Sequence, residues 1–116
     1  PGDIERTTEL ALLETYGEIL SVDVLLAPHH GSDTSSTKSF VQAINPRYVV
    51  FAAGFFNRFG FPHEAVYTRS RDAGAAGMIT SEQGAIEFLV LKRRLVVNSE
   101  RRRPLQWKFM RANTSD

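Results

Sequence analysis

Val22-Asp23-Val24-Leu25-Leu26-Ala27-Pro28-His29-His30-Gly31-Ser32-Asp33-Thr34-Ser35-Ser36 is the stretch from which the rest of the chain can be read. Val22 to Leu26 is short, apolar and rich in β-branched residues, the pattern of a strand buried in a sheet. Pro28 has no amide hydrogen to give a ladder, so it ends that strand. His29 and His30 therefore fall just past its carboxyl end, the edge at which layered α/β folds meet ligands and metals. Gly31 permits tight or left-handed backbone, and the Ser/Thr run after it reads as the N-cap of a helix. Two imidazoles, the Gly31 and Ser32 amides and a helix beginning near Ser35 or Ser36 converge here, a combination suited to a metal ion and a phosphate. The plainer alternative is a pair of solvated loop histidines.

Upstream, Pro1-Gly2-Asp3-Ile4 reads as the end of a strand. Glu5 to Gly17 reads as a helix with Leu10, Leu13 and Tyr16 on its buried face and Gly17 closing it. Ile19 to Ala27 is the strand that leads to the histidines. Downstream, Ser36 to Ile44 is a helix whose inner face is Phe40, Val41 and Ile44, ended by Asn45-Pro46. Tyr48 to Ala53 is continuously apolar, as in a sheet covered on both faces. Gly54 to Pro62 is a loop carrying Phe55, Phe56, Phe59 and Phe61. A helix over His63 to Ala73 ends at Gly74, and Gly77 to Thr80 is a short strand. After a turn at Glu82-Gln83-Gly84, Ile86, Phe88 and Val90 alternate with Glu87, and Leu95 to Asn98 pairs back on them. Leu105, Trp107 and Phe109 alternate once more. This alternation of helices and strands gives an α/β domain over residues 1–111 with a disordered tail at 112–116.

A chain of 116 residues, 42% hydrophobic, is sized for one domain with a modest core. It has no cysteine, which excludes disulfides and thiolate metal sites. No apolar run approaches the roughly 20 residues of a membrane-spanning helix. The opening Pro1-Gly2-Asp3 enters structure at once, as expected for a piece of a larger protein. The net charge of +1 conceals an asymmetry: residues 1–91 hold 6 Lys/Arg against 11 Asp/Glu, residues 92–116 hold 8 against 2. Lys92-Arg93-Arg94 and Arg101-Arg102-Arg103 are either a contact for nucleic acid or an anionic surface, or a solvated hairpin turn and tail.

Asp3 is a second candidate. A carboxylate and an imidazole from neighbouring strand ends bind the same Zn²⁺ or Mn²⁺, and a bridging aspartate holds two ions. Its alternative role is an N-cap for the helix that starts near Glu5.

Gly2-Asp3-Ile4-Glu5, Pro28-His29-His30-Gly31-Ser32 with Ser35-Ser36, Asn57-Arg58-Phe59-Gly60 and Glu82-Gln83-Gly84-Ala85-Ile86 follow one another in an order and spacing that resemble the metallo-β-lactamase-type domain of the ComEC family, membrane proteins of bacterial DNA uptake in natural competence. The resemblance runs up to about Leu91 and rests chiefly on His-His-Gly-Ser. It implies the carboxyl-terminal half of an αββα sandwich, with a mixed sheet flanked by helices. It also implies that Asp3 is a metal-bridging aspartate and that the histidine pair is a metal-binding motif. Successive side chains leave an extended segment in opposite directions, so one of His29 and His30 is the ligand and the other faces substrate or a supporting partner. The family's His-x-His-x-Asp-His motif, which precedes its Gly-Asp, is absent from this sequence. Gly60-Phe61-Pro62 stands where the family commonly reads Gly-His-Pro, with His63 at the next position. Asn57 and Arg58 are candidate polar contacts in the same loop.

The activity implied is metal-dependent phosphodiester hydrolysis by Asp3, His29 and His30. Gly31, Ser32, Ser35, Ser36, Asn57, Arg58 and His63 would contact the DNA phosphate, and Zn or Mn would be the metal of the full domain. The isolated chain, with two or three ligands, is expected to hold metal weakly, to be inactive alone and to self-associate through the face it leaves uncovered. The partners implied are DNA and the rest of a membrane-embedded channel protein of the bacterial inner membrane; the side of the membrane is left open, the extracytoplasmic one being favoured. The rivals are a DNA- or channel-binding module with a decayed metal site, and a hydrolase of the same fold acting on a small phosphoester or choline ester.

Overall fold

In a computed structural model of the chain, residues 1–54 and 57–101 are described. Helix α1 spans Arg6–Tyr16 and strand β1 spans Val24–Leu26. Helix α2 (Lys38–Ile44), strand β2 (Tyr48–Phe51), helix α3 (Glu64–Asp72) and strand β3 (Ala76–Ile79) follow, then the single helical turn α4 (Thr80–Gln83) and the strands β4 (Ile86–Leu91) and β5 (Arg94–Ser99).

β1, β2 and β3 form a parallel sheet in chain order, with Leu25 opposite Val49 and Val50 opposite Met78. Alternate side chains of a strand leave by opposite faces, and the two faces of this sheet have different covers. Leu25, Val49 and Phe51 pack with Phe40 and Ile44 of α2 and Val66 of α3, with Leu12 and Leu13 of α1 against the same cluster. Tyr48 and Met78 pack instead with Val97 of β5, joined by Ile86, Phe88 and Leu95. The layers are therefore helices, parallel sheet and an antiparallel hairpin. Burying each large side chain contributes about 1.5–3 kcal/mol, and β2 is buried throughout, the Tyr48 hydroxyl being its one polar side-chain group.

Several expectations are corrected by packing. Residues 1–5 form a turn and irregular backbone, with no strand leading to Asp3. Gly17–Leu20 is a turn of 3₁₀ helix, so β1 is shorter than Ile19 to Ala27. The sheet is not mixed: the antiparallel pair stands as a separate sheet. On α1, Leu10 and Tyr16 are exposed, and the one fully buried residue is Glu9. Residues 80–83 are helical, not a bare turn. Lys92 and Arg93 form the exposed turn of the β4–β5 hairpin and Arg94, also exposed, opens β5 opposite Leu91, near an exposed Val90. Phe55, Phe56, Leu105, Trp107, Phe109, Arg102, Arg103 and the tail lie outside the described residues.

Glu9 is buried because it has a task. Its carboxylate accepts hydrogen bonds from the backbone amides of Ser36 and, at 2.8 Å, Thr37. The Thr37 hydroxyl caps α2 from within, accepting from the Phe40 amide at 3.3 Å. Arg69 of α3 donates to the Ser36 carbonyl at 2.6 Å. One short segment thus ties α1, α2 and α3 together.

Two stability predictions follow from these buried groups. Glu9→Ala leaves the Ser36 and Thr37 amides unpartnered, a loss of roughly 2–4 kcal/mol, and Glu9→Gln, which keeps one acceptor, loses less. Urea unfolding measures both, and an unchanged Glu9→Ala midpoint contradicts the contact. Tyr48 is fully buried with no hydrogen-bond partner for its hydroxyl among the described residues. Burial pushes its pKa above 10.0, opposed in part by the neighbouring Arg47. The neutral phenol is therefore favoured in the folded state, and its contribution is intact below about pH 10 and lost as pH rises through the folded pKa. Tyr48→Phe should match the parent within about 1 kcal/mol at neutral pH and show a smaller loss of stability above about pH 10, read from urea midpoints at both values.

Candidate functional site

The carboxyl end of β1 leads straight into the two histidines. The Ala27 amide makes a last sheet bond to the Val50 carbonyl at 2.8 Å, and Pro28–Gly31 then turns sharply. His29 (φ 49°), His30 (φ 55°) and Gly31 (φ 86°) are all left-handed. Such backbone is unfavourable for residues with a Cβ and persists only where the surroundings fix it. Here the His29 amide donates to the Gly2 carbonyl at 2.8 Å, the Ser32 amide to the His29 carbonyl at 2.9 Å, and the His63 amide to the Gly31 carbonyl at 2.9 Å. The last of these brings the start of α3 to the turn. Gly31 is also crowded: a Cβ there would lie 2.6 Å from Pro62 Cβ and 2.8 Å from Phe51 Cδ1.

This turn brings carboxylates to imidazoles. His30 Nε2 lies 3.7 Å from Asp3 Oδ1, and His29 Nδ1 lies 3.3 Å from Glu5 Oε1 without the alignment of a hydrogen bond. Asp3 reaches the site on a turn tied to His29 through Gly2. His30 Nδ1 is 2.8 Å from the Ala52 carbonyl oxygen. A carbonyl only accepts, so Nδ1 carries the hydrogen, and Nε2 is the nitrogen that faces Asp3; in the neutral ring it presents its lone pair there. Holding one ring nitrogen on a backbone carbonyl is how the ring of a metal-ligating imidazole is commonly oriented. An imidazole nitrogen and a carboxylate oxygen also suit Zn²⁺ or Mn²⁺ chemically. Among the described residues, no group of three or more such side chains is arranged to hold an ion. Asp3 and His30 are two donors of compatible chemistry brought side by side.

The other candidates divide. Ser32 is buried, its hydroxyl 3.0 Å from that of Thr34, which donates to Glu5 at 3.1 Å. Ser35 is fully buried and donates to the carbonyls of Pro28 and Ser32 at 3.0 and 3.1 Å, bracing the turn from inside. Ser36 is buried as well, and its amide, expected to face a phosphate, is held by Glu9. His63 Nε2 is 3.9 Å from Asp33 Oδ2, both exposed. The Asn57 side chain donates to the Gly54 and Phe61 carbonyls at 3.1 and 2.9 Å and accepts from the Phe61 amide at 2.7 Å, fastening its own loop. The Arg58 guanidinium lies 4.9 Å from the Phe59 ring centre.

Glu9 is a participant that sequence reasoning did not single out, and Glu5 and Phe61 were quoted there only as parts of motifs, with no contact to the histidines assigned. Glu9 was detectable as a carboxylate on the same helical stripe as Leu12 and Leu13, three and four residues on. The Ala52 carbonyl left no trace in the sequence, being backbone. Gly31→Ala should lower stability by roughly 1–3 kcal/mol, combining a left-handed alanine with the collision at Pro62 and Phe51. A urea midpoint equal to the parent's would contradict that packing.

No family model matches the chain, and no solved structure matches it. Among curated proteins it is 39% identical over 87 residues, 75% of its length, to Competence protein ComA of Neisseria gonorrhoeae. It is 30% identical over 87 residues, again 75% of its length, to ComE operon protein 3 of Bacillus subtilis. Recombination protein 2 of Haemophilus influenzae is 29% identical over 106 residues, 91% of the chain. The chain spans 11–13% of the length of these relatives. Over three quarters of its length, the chain is similar to one segment of Competence protein ComA and to one segment of ComE operon protein 3.

Proposed function

We propose that this chain is part of a ComEC-like DNA-uptake protein, and that Asp3 and His30 contribute to a metal-dependent site for phosphodiester hydrolysis. The observation that carries the reading is the His30 tautomer: Nδ1 bound to the Ala52 carbonyl and Nε2 turned to Asp3. The likeness to Competence protein ComA, at 39% identity over 87 residues, supports the DNA-uptake reading. The layering of helices, parallel sheet and a strand pair on the sheet's far face supports the half-sandwich expected of a metallo-β-lactamase-type domain.

A divalent ion at such a site supplies activation of water and neutralisation of charge on the phosphate. Asp3 and His30 would hold it, and Ala52 keeps the His30 ring in orientation. The left-handed turn presents both histidines from a backbone fixed on three sides. His29, beside Glu5 and edge-on to Phe61 with ring centres 6.1 Å apart, takes the supporting place.

In the whole protein, Asp3→Ala and His30→Ala should each lower Mn²⁺- or Zn²⁺-dependent DNA cleavage by roughly 100-fold or more and weaken Mn²⁺ binding in calorimetry. His29→Ala should lower both less. Variants at Asp3 and His30 that cut and bind metal as the parent does refute the hydrolytic reading. A parent that binds DNA without cutting it under any of these metals favours a binding module.

A further inference from the structure

The loop between β2 and α3 carries an arrangement that the hydrolytic site does not use. Phe59 and Phe61 are stacked with ring centres 5.4 Å apart and planes 18° from parallel. Phe61 and the His30 imidazole continue the stack, with centres 6.4 Å apart and planes 15° from parallel. Four flat groups, Arg58, Phe59, Phe61 and His30, therefore succeed one another up to the proposed metal ligand. The outer ring, Phe59, is 64% exposed. It is not loosely held, because Asn57 fastens the loop at both ends through three side-chain hydrogen bonds. A segment pinned by Asn57 that keeps a large aromatic ring in water, next to a cation, has the composition of a surface that stacks bases and tracks phosphates.

We propose that Phe59, backed by Phe61 and flanked by Arg58, is a stacking platform for an unpaired nucleobase beside His30, a role that rests on reading this site as one where DNA meets the chain. The base exchanges the weak, exposed contact of Arg58 with the ring for a stack, and the freed guanidinium pairs with the adjoining phosphate. A base inside a duplex has both faces covered and cannot make this contact, so the platform selects single strands or strand ends. Stacking is tolerant of base identity, since every base has a π-face. Phe59 is thus a positioning residue, setting which nucleotide stands next to the Asp3–His30 pair.

The test is binding of a short single-stranded oligonucleotide carrying 2-aminopurine to the chain of residues 1–116, without added metal. The parent should bind and quench the probe. Phe59→Ala should lose roughly 5- to 150-fold in affinity and the quenching with it, while Phe59→Trp restores both. Arg58→Gln should reduce the slope of log affinity against log salt by about one. Circular dichroism should show every variant folded, since Phe59 is a surface residue. Phe59→Ala binding like the parent overturns the platform, as does equal affinity of the parent for duplex and single strand, or no binding at all. None of these readouts depends on cleavage. Metal-dependent cleavage is read separately, on the whole protein, so failure of the hydrolytic reading and failure of the platform are distinguished.

Discussion

Three successive left-handed residues, His29, His30 and Gly31, are the constraint on which the candidate site depends. A residue with a Cβ held in that region costs of order 1–3 kcal/mol, and two histidines sit there side by side. The conformation survives because each end of the turn is bonded to a distant segment: His29 to Gly2, Gly31 to His63. Ser35 braces the inside through the Pro28 carbonyl. The same bonds that hold the turn bring Asp3 and Glu5 from one side and the α3 N-terminus from the other. Geometry and stability of the site are thus one problem, and loosening any of these bonds would release the imidazoles.

A second consequence concerns charge. A Ser/Thr run leading into a helix offers free amides to an anion, and a phosphate was the expected occupant. The folded chain supplies its own anion, the Glu9 carboxylate, to the amides of Ser36 and Thr37. A carboxylate accepting backbone amides is a strong pairing, and placing it between helices converts a potential ligand site into a structural joint. Asp3, Glu5, Asp33, His63 and Arg58 are among the polar residues exposed to solvent. Arg58 sits on the aromatic loop, beside Phe59.

Much of the fold was legible. Phe40, Val41 and Ile44 recur at helical spacing and are all buried, and Tyr48 to Phe51 is an unbroken apolar strand buried on both faces. Gly17, Asn45 and Gly74 mark helix ends within a residue or two. Pro28 marks the strand end that places the histidines. Each of these is a local rule, a period or a backbone restriction, that the sequence states directly. The errors arose where a local pattern met a tertiary demand: Leu10 and Tyr16 are apolar yet exposed, while Glu9 on the same helix is buried.

The amino-acid sequence by itself determined the α/β alternation, the position of His29 and His30 past a strand end, and the proximity of Gly-rich and Ser-rich backbone to them. Only the tertiary structure decided which nitrogen of His30 is free, because that follows from its approach to the Ala52 carbonyl 22 residues away. It alone decided that Glu9 caps α2, that Asn57 turns inward to fasten its loop, and that Phe59, Phe61 and His30 share a stack. Periodicity and turn chemistry depend on neighbours along the chain. Hydrogen-bond partners, tautomers and ring stacking depend on neighbours in space, and those are chosen only when the layers close on one another.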